Sequence, residues 1–226
     1  PFNSKLVFPM FSVLDPLKTY TLPHNQVANG VIDAFIHIVE QYLTTPAHAK
    51  VQDRFAEGLL LTLIEEGPLA LKDPENYDVR ANIMWAATMA LNGLIGAGVP
   101  QDWSTHMIGH ELTALYGLDH AVTLAIVLPG NLTLRKEVKR QKLLQFAQRV
   151  WGVKSGNEDH QIAEGIRMTR EFFESLGVKT RLSDYKIDAA GIEKVVAQLK
   201  SHQMIKLGEN GDVTPDVARQ ILELCL

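Results

Sequence analysis

Two short stretches of the sequence combine imidazole and carboxylate side chains at helical spacing. Asp33 and His37 are one turn apart in DAFIHIVEQY, and His106 and His110 repeat that spacing in THMIGHELTALYGLDH, where His120 follows a glycine break. Residues four apart project from one helix face, about 40° from each other, so each pair can converge on one point. Imidazole and carboxylate groups on facing helices are the ligands that helical proteins use for divalent ions. The spacing therefore predicts a metal site.

The chemistry of such a site follows from its donors. An ion held by one aspartate and three neutral histidines keeps a net positive charge, which suits a Lewis acid that attracts an oxygen ligand. A lone histidine in a helix is usually just a partly buried residue. Here four histidines and one aspartate occur in two apolar segments, and that grouping favours the metal site. The other histidines lie in polar stretches near turns and are interpreted as surface residues: His24, His48, His160 and His202.

Other reaction types fit the sequence poorly. A zinc peptidase would need HExxH, but here the order is HxxxHE, with Glu111 after the second histidine. Phosphohydrolases that use an adjacent His-Asp pair would need that dipeptide, and this chain has only Asp119-His120 in reverse order. No GxSxG nucleophile motif occurs, and Cys225 lies beside the C-terminus.

Composition narrows the classes of partner and location. The net charge of −4 over 226 residues argues against a nucleic-acid or membrane-surface role. The most basic run, LRKEVKRQK at 134–142, is interpreted as a solvated helix face. A single cysteine and the absence of a signal-peptide pattern indicate a cytoplasmic protein. The apolar run GLLLTLI is too short to span a bilayer.

Apolar periodicity predicts helices along almost the whole chain. The predicted helical segments are 21–45, 47–65, 78–94, 103–116, 120–128, 138–151, 161–176, 191–202 and 215–224. Gly67-Pro68 and Pro129-Gly130 are expected to end two of them, and Thr214 is expected to cap the last. Residues 5–16 read as a short strand ended by Asp15-Pro16. The prediction is an all-α domain with one strand at its N-terminal edge.

Two long motifs carry a family resemblance. TLPHNQVANGVIDAFIHIVEQY and GVPQDWSTHMIGHELTALYGLDHAVTLAIVLP resemble the C-terminal helical domain of the iron-containing, group III alcohol dehydrogenases. The similarity covers essentially the whole chain and is closest to the branch of NADPH-dependent aldehyde reductases and butanol dehydrogenases. The resemblance implies a helical domain of the dehydroquinate synthase-like kind. Ala121 departs from the glycine that many members have at that position.

The resemblance also assigns roles to residues. The family's metal ligands fall on Asp33, His37, His106 and His120, and His110 matches a further active-site histidine beside the nicotinamide. It implies a divalent ion, Fe²⁺ or Zn²⁺, that polarises an alcohol or aldehyde oxygen during hydride transfer. NADP(H) is expected rather than NAD(H), and a homodimer is expected. Glu40, two turns from Asp33, is a candidate to orient a ligand imidazole.

Members of that family have a second, α/β half that holds the dinucleotide through a glycine-rich turn. We find no such turn in these residues, since GLIGAGVP follows a helix and does not open one. We therefore expect residues 1–16 to be strand and linker from a nucleotide-binding domain, residues 17–226 to be the helical metal-binding domain, and the isolated chain to be inactive. Two other readings stay open: a metal-binding or oligomerisation module without activity, and a metal-dependent hydrolase.

Overall fold

The computed structural model describes residues 4–226 and confirms the all-α prediction for them. Its nine helices are α1 His24–Tyr42, α2 Lys50–Lys72, α3 Tyr77–Leu91, α4 Ser104–Tyr116, α5 His120–Leu134, α6 Arg140–Arg149, α7 Glu158–Ser175, α8 Ala189–Ser201 and α9 Pro215–Glu223. Short 3₁₀ helices occur at Lys5–Val7, Pro16–Thr19 and Leu182–Tyr185. Over the same residues, the β-structure is limited to one isolated bridge between Leu207 and Val213.

The two larger apolar cores of the described residues meet at α5, apart from a small cluster of Val27, Ala70 and Val79. The larger core joins α1, α2, α3, α6 and α7 around Phe35 and Phe146, and the smaller core joins α4, α8 and α9 around Ile108. Helix α5 contributes Leu124 to the larger core and Ile126 to the smaller one. A helix that is apolar on every side must be buried on every side, as α5 is here. Among residues 4–226, none of the helices combines the length and the apolar composition that spanning a bilayer requires.

The strand predicted at residues 5–16 is wrong. The segment begins with the 3₁₀ helix Lys5–Val7 and continues without regular structure to Asp15. Its large apolar side chains are exposed, including Leu6 at 96% and Met10 at 97%. Backbone N–H and C=O groups of a strand need a partner strand, and residues 4–226 supply none to this segment. A run of apolar and β-branched residues alone was therefore insufficient to make a strand.

The two helix ends predicted at Gly-Pro pairs are also wrong, because both helices continue through them. Helix α2 runs past Gly67 and Pro68, and α5 runs past Pro129 and Gly130. A proline inside a helix costs about 3 kcal/mol, so packing has to offset that cost. A Cβ on Gly67 would lie 2.9 Å from Cγ1 of Val31 on α1. These glycines therefore mark close helix contacts, and the helices do not end there.

Gly130→Ala should lower the free energy of unfolding. The added Cβ would lie 2.5 Å from Sγ of Cys225 and 2.7 Å from the backbone oxygen of Ile221. A backbone atom cannot swing aside as a side chain can, so overpacking should cost about 1–3 kcal/mol. Gly58→Ala in α2 is the control, because its Cβ would meet nothing within 4 Å, and it should be neutral or stabilising. Urea titration followed by circular dichroism measures both, and equal stabilities would contradict the packing argument.

Candidate metal centre

The predicted ligand residues come from three helices that meet where the two cores adjoin. Asp33 and His37 lie on α1, His106 is the third residue of α4, and His120 is the first residue of α5. One donor atom from each of Asp33, His37 and His106 lies within 4.8 Å of the others. Nε2 of His120 is 3.5 Å from Oδ1 of Asp33. The fold thus brings all four side chains into one cluster.

The donor spacing suits a small divalent ion. Nε2 of His37 lies 3.3 Å from Nε2 of His106 and 3.6 Å from Oδ2 of Asp33. Four donors arranged tetrahedrally at about 2.1 Å from a zinc-sized ion would be about 3.4 Å apart. Oδ1 of Asp33 is buried without a hydrogen-bond partner, and such a lone pair is costly unless something positive occupies the space before it. The residues present therefore fit a divalent metal.

Electrostatics keep the imidazoles in the form that binds metal. Burial lowers the pKa of His37 and His120, and it lowers that of His106 to about 4. Neighbouring histidines lower the pKa of His37 and His120 further, while the Asp33 carboxylate opposes the shift at all three. Each ring is therefore neutral at pH 7, and a neutral imidazole offers a nitrogen lone pair to a metal.

Glu40 holds one of these imidazoles in place. Its carboxylate, only 3% exposed, contacts Nδ1 of His106, which leaves Nε2 directed at the cluster. A carboxylate behind a ligating histidine fixes the ring orientation and the tautomer. Burial and the charge of Asp102 raise the pKa of Glu40 to about 8, while the N–H groups of Thr105 and His106 oppose that rise. A cation at Nε2 would favour the ionised carboxylate.

Two buried carboxylates also satisfy the free N–H groups at the start of α4. The Ser104 amide donates to Oδ1 of Asp102 at 2.9 Å, the Thr105 amide to Oε1 of Glu40 at 2.6 Å, and the His106 amide to Oε2 of Glu40 at 3.2 Å. The first N–H groups of a helix have no partner within that helix. Here their partners fix the turn of α4 that carries His106.

An open cleft of about 280 Å³ adjoins the cluster. Asp33 and His120 line it, together with Asn29, Gly30 and Asp119. The Asn29 amide donates to Oδ2 of Asp119 at 2.8 Å and so joins α1 to the start of α5. A small polar molecule in this cleft would reach Asp33 and His120 directly.

Comparisons with known proteins identify the chain. The model of the Fe-containing alcohol dehydrogenase family, C-terminal, matches residues 27–223. The chain is 64% identical over 222 residues to the NADPH-dependent aldehyde reductase YqhD of Escherichia coli (strain K12), covering 98% of this chain and 57% of that protein. It is 38% identical over 221 residues to NADH-dependent butanol dehydrogenase B of Clostridium acetobutylicum, covering 96% and 55%. The chain belongs to the Fe-containing alcohol dehydrogenase family.

Solved structures agree with that assignment. The substrate- and cofactor-free form of the Escherichia coli aldehyde reductase matches with a TM-score of 0.98 at 63% identity, covering 100% of this chain and 59% of the other. An NADH-dependent butanol dehydrogenase A from Thermotoga maritima matches with a TM-score of 0.89 at 30% identity, covering 98% and 57%. The expected branch of the family is confirmed. The chain spans somewhat more than half the length of these relatives.

His110 and Trp103 lie beside the cluster in this member of the family. The His110 ring stacks on His120, with centroids 5.0 Å apart at an angle of 26°, and burial lowers its pKa. The Trp103 ring packs edge-on against His37 and His106, with centroids 5.5 and 5.3 Å away. His110 is therefore placed to exchange protons next to the cluster, and Trp103 covers two of the imidazoles on one side.

The basic run at 134–142 is only in part the solvated face that we predicted, since Lys136 is exposed but three other basic residues are buried. Arg135, Lys139 and Lys142 are only 4%, 3% and 6% exposed and form ion pairs. These three residues are four and three positions apart, so in a helix they would share one face. That spacing could have indicated that this face is turned toward the protein interior. Asp102 was missed as well; its Oδ1 accepts the Ser104 amide two residues on, which is the Asx turn that aspartate favours. The four histidines interpreted as surface residues are all exposed.

His106→Ala should remove metal from the family site. It would delete one of the four predicted donors, so the affinity should fall by more than the ~10–100-fold that loss of a supporting partner costs. Elemental analysis of the purified protein at neutral pH measures the metal per chain. His24→Ala, an exposed histidine at the start of α1, is the control and should keep its metal. Equal metal content in the two variants would refute the assignment of His106.

Glu40→Gln should weaken metal binding without unfolding the chain. Glutamine keeps the shape of the side chain but cannot take the negative charge that a bound cation would favour behind His106, so a loss of about 10–100-fold is expected. Glu57→Gln is the control, since Glu57 is also a buried glutamate and its hydrogen bonds go to Tyr42, Arg54, Gln145 and Arg149. Competition against a chromophoric chelator gives both Kd values. A wild-type Kd for Glu40→Gln would show that the contact does not matter.

Proposed function

We propose that this chain is the metal-binding part of an NADP(H)-dependent alcohol dehydrogenase or aldehyde reductase. The observation that carries the proposal is the cluster of Asp33, His37, His106 and His120, whose neutral imidazoles and carboxylate converge beside an open cleft. A metal-binding module without activity would have no need of a cleft at its ligands. Catalytic metal sites differ from structural ones in keeping a position open to substrate.

The residues of the site would have three roles: metal binding, substrate access and proton exchange. Asp33, His37, His106 and His120 would hold Fe²⁺ or Zn²⁺, which when bound polarises the oxygen of the alcohol or aldehyde. The cleft beside Asp33 and His120 would admit that substrate. His110 would accept the hydroxyl proton during alcohol oxidation, or supply it during aldehyde reduction. Its neutral ring, stacked on His120 and exposed to solvent, suits that exchange.

The hydride itself requires a nicotinamide, since none of these side chains can accept or donate one. We propose NADP(H), because the Escherichia coli relative at 64% identity is NADPH-dependent. NADH remains the competing choice on the example of the butanol dehydrogenase at 38% identity. In keeping with the family match to a C-terminal region, we propose that residues 17–226 supply the metal and substrate side, and that nucleotide binding depends mainly on residues outside that range.

The test uses the 226-residue chain loaded with Co²⁺, which reports its coordination through visible absorption. Azide, a small anion that binds open metal positions, should change the spectrum of the wild-type chain. With NADPH and butanal, the same sample should turn over far below the ~1 s⁻¹ or more that is typical of enzymes. A spectrum insensitive to azide would favour a structural metal module. Turnover at enzyme-like rates would show that the nucleotide site lies within this chain, and hydrolysis of an activated ester would favour the hydrolase.

A further inference from the structure

A buried cluster of charges lies directly behind the start of α4. Both Arg135 and Lys139 pair with Oδ2 of Asp102, and Lys139 also pairs with Glu209 at 2.9 Å. The four side chains are each 4% exposed or less. Two cations balance two anions, and Asp212, at 2.8 Å from Arg135, adds a more exposed third anion. We call the set Asp102, Arg135, Lys139 and Glu209 the buried charge cluster.

The buried charge cluster contacts both helices that carry most of the ligands. The Asp102 amide donates to the backbone oxygen of Glu40 on α1 at 2.9 Å, and its Oδ1 accepts from the Ser104 amide on α4. Lys139 donates to the backbone oxygen of Leu43, where α1 ends, at 2.6 Å. The cluster therefore joins the last turn of α1 to the first turn of α4.

Helix α5, which carries His120, is also hydrogen-bonded to the first turn of α4. The Asn131 amide on α5 donates to the hydroxyl oxygens of Ser104 at 2.9 Å and Thr105 at 3.0 Å. These two residues immediately precede His106. The turn that presents His106 to the metal is thus hydrogen-bonded to α1, to α5 and to the buried charge cluster.

Trp103, directly before this turn, has its backbone held in an unfavourable conformation. Its backbone has φ 61° and ψ 4°, in the left-handed region. That conformation is unfavourable for a non-glycine residue and persists where the surroundings hold the backbone in it. Asp102 is fixed on one side of Trp103, and the capped turn of α4 follows on the other. The result is the indole position against His37 and His106.

The charges of the cluster are strongly coupled. Burial alone would raise the pKa of Asp102, but Lys139 and Arg135 outweigh it and hold that pKa well below its ordinary value. Burial would lower the pKa of Arg135, yet Asp102 and Glu209 raise it. Removing one charge would leave its buried partners uncompensated, which is a large perturbation at a fixed point.

We infer that Asp102 is a positioning residue for metal binding: with Arg135 and Lys139 it fixes the first turn of α4, and thereby the direction in which His106 presents Nε2. The inference rests on the proposed metal site. It goes beyond that site because no atom of Asp102 is among the donors, and its effect passes through Ser104 and through the backbone of Glu40.

The test compares Asp102→Asn with the wild-type chain. Asparagine keeps an acceptor for the Ser104 amide but removes the charge that Arg135 and Lys139 share. The Kd for Zn²⁺, from competition with a chromophoric chelator, should rise about tenfold or more. The visible spectrum of the Co²⁺-loaded variant should also change, because the direction of His106 changes. Glu57→Gln, which removes a buried charge from another ion-paired cluster, should leave both readouts at wild-type values.

The outcomes separate this inference from the proposed function. If the wild-type chain binds no Zn²⁺ or Co²⁺, the metal site itself is wrong, and the inference falls with it. If the wild-type chain binds metal and a folded Asp102→Asn matches it in Kd and spectrum, only the positioning role is overturned. Equal weakening by Glu57→Gln would overturn it too, because it would show a general effect of lost stability. Should Asp102→Asn fail to fold by circular dichroism, Arg135→Lys takes its place under the same criteria.

Discussion

The carboxylate of Glu40 is the interaction on which the candidate site depends. It extends from α1 and accepts hydrogen bonds from the backbone amides of Thr105 and His106 at the start of α4. It also contacts the His106 ring. One buried group thus fixes the position of α4 against α1 and the orientation of a ligand on α4. Burying a carboxylate is costly unless its oxygens are fully hydrogen-bonded. The N-terminus of α4 supplies those hydrogen bonds, so the same carboxylate both caps α4 and orients the His106 ring.

This arrangement explains why the site lies where the two cores adjoin. Helix α1 belongs to the larger core and α4 to the smaller one, and α5 belongs to both. A polar cluster within either core would displace packed apolar side chains, whereas the junction gives each ligand an apolar helix face behind it. The aromatic residues around Phe35 and the aliphatic residues around Ile108 hold the backbones. The hydrogen bonds of Glu40, Asp102 and Asn131 then set the orientation of the ligands.

The features that could be predicted from sequence are local ones. Helical periodicity located all nine α-helices of residues 4–226, and Thr214 does cap α9 through the Val217 amide. The spacing of Asp33 and His37 put both on one face, as any helix must. The errors arose where a distant contact decides the outcome. Gly67 is followed by proline and would end an isolated helix, but α2 continues past it because Val31 of α1 packs against that glycine.

The basic run at 134–142 also shows that local sequence does not reveal distant contacts. Arg135 and Lys139 read as solvated because their counter-ions are far away in sequence, with Asp102 more than thirty residues before and Glu209 about seventy after. Local composition carries no information about such partners. The apolar and β-branched residues of 5–16 also led to a wrong prediction, because such a composition does not decide pairing. It is compatible with a strand, but a strand is defined by pairing, which no single segment determines.

The positive N-terminal ends of α4 and α5 lie beside the proposed cation site and must be offset by negative charge. His106 is in the first turn of α4 and His120 opens α5, and each helix N-terminus carries about half a positive charge. Two such ends beside one ion would repel it. Asp102 is already neutralised by Arg135 and Lys139, so the negative charge that offsets these ends comes from Asp33 in the cluster, from Glu40 at α4 and from Asp119 before α5. Burial raises the pKa of Glu40 to about 8, and a cation on the far side of His106 would favour the ionised carboxylate.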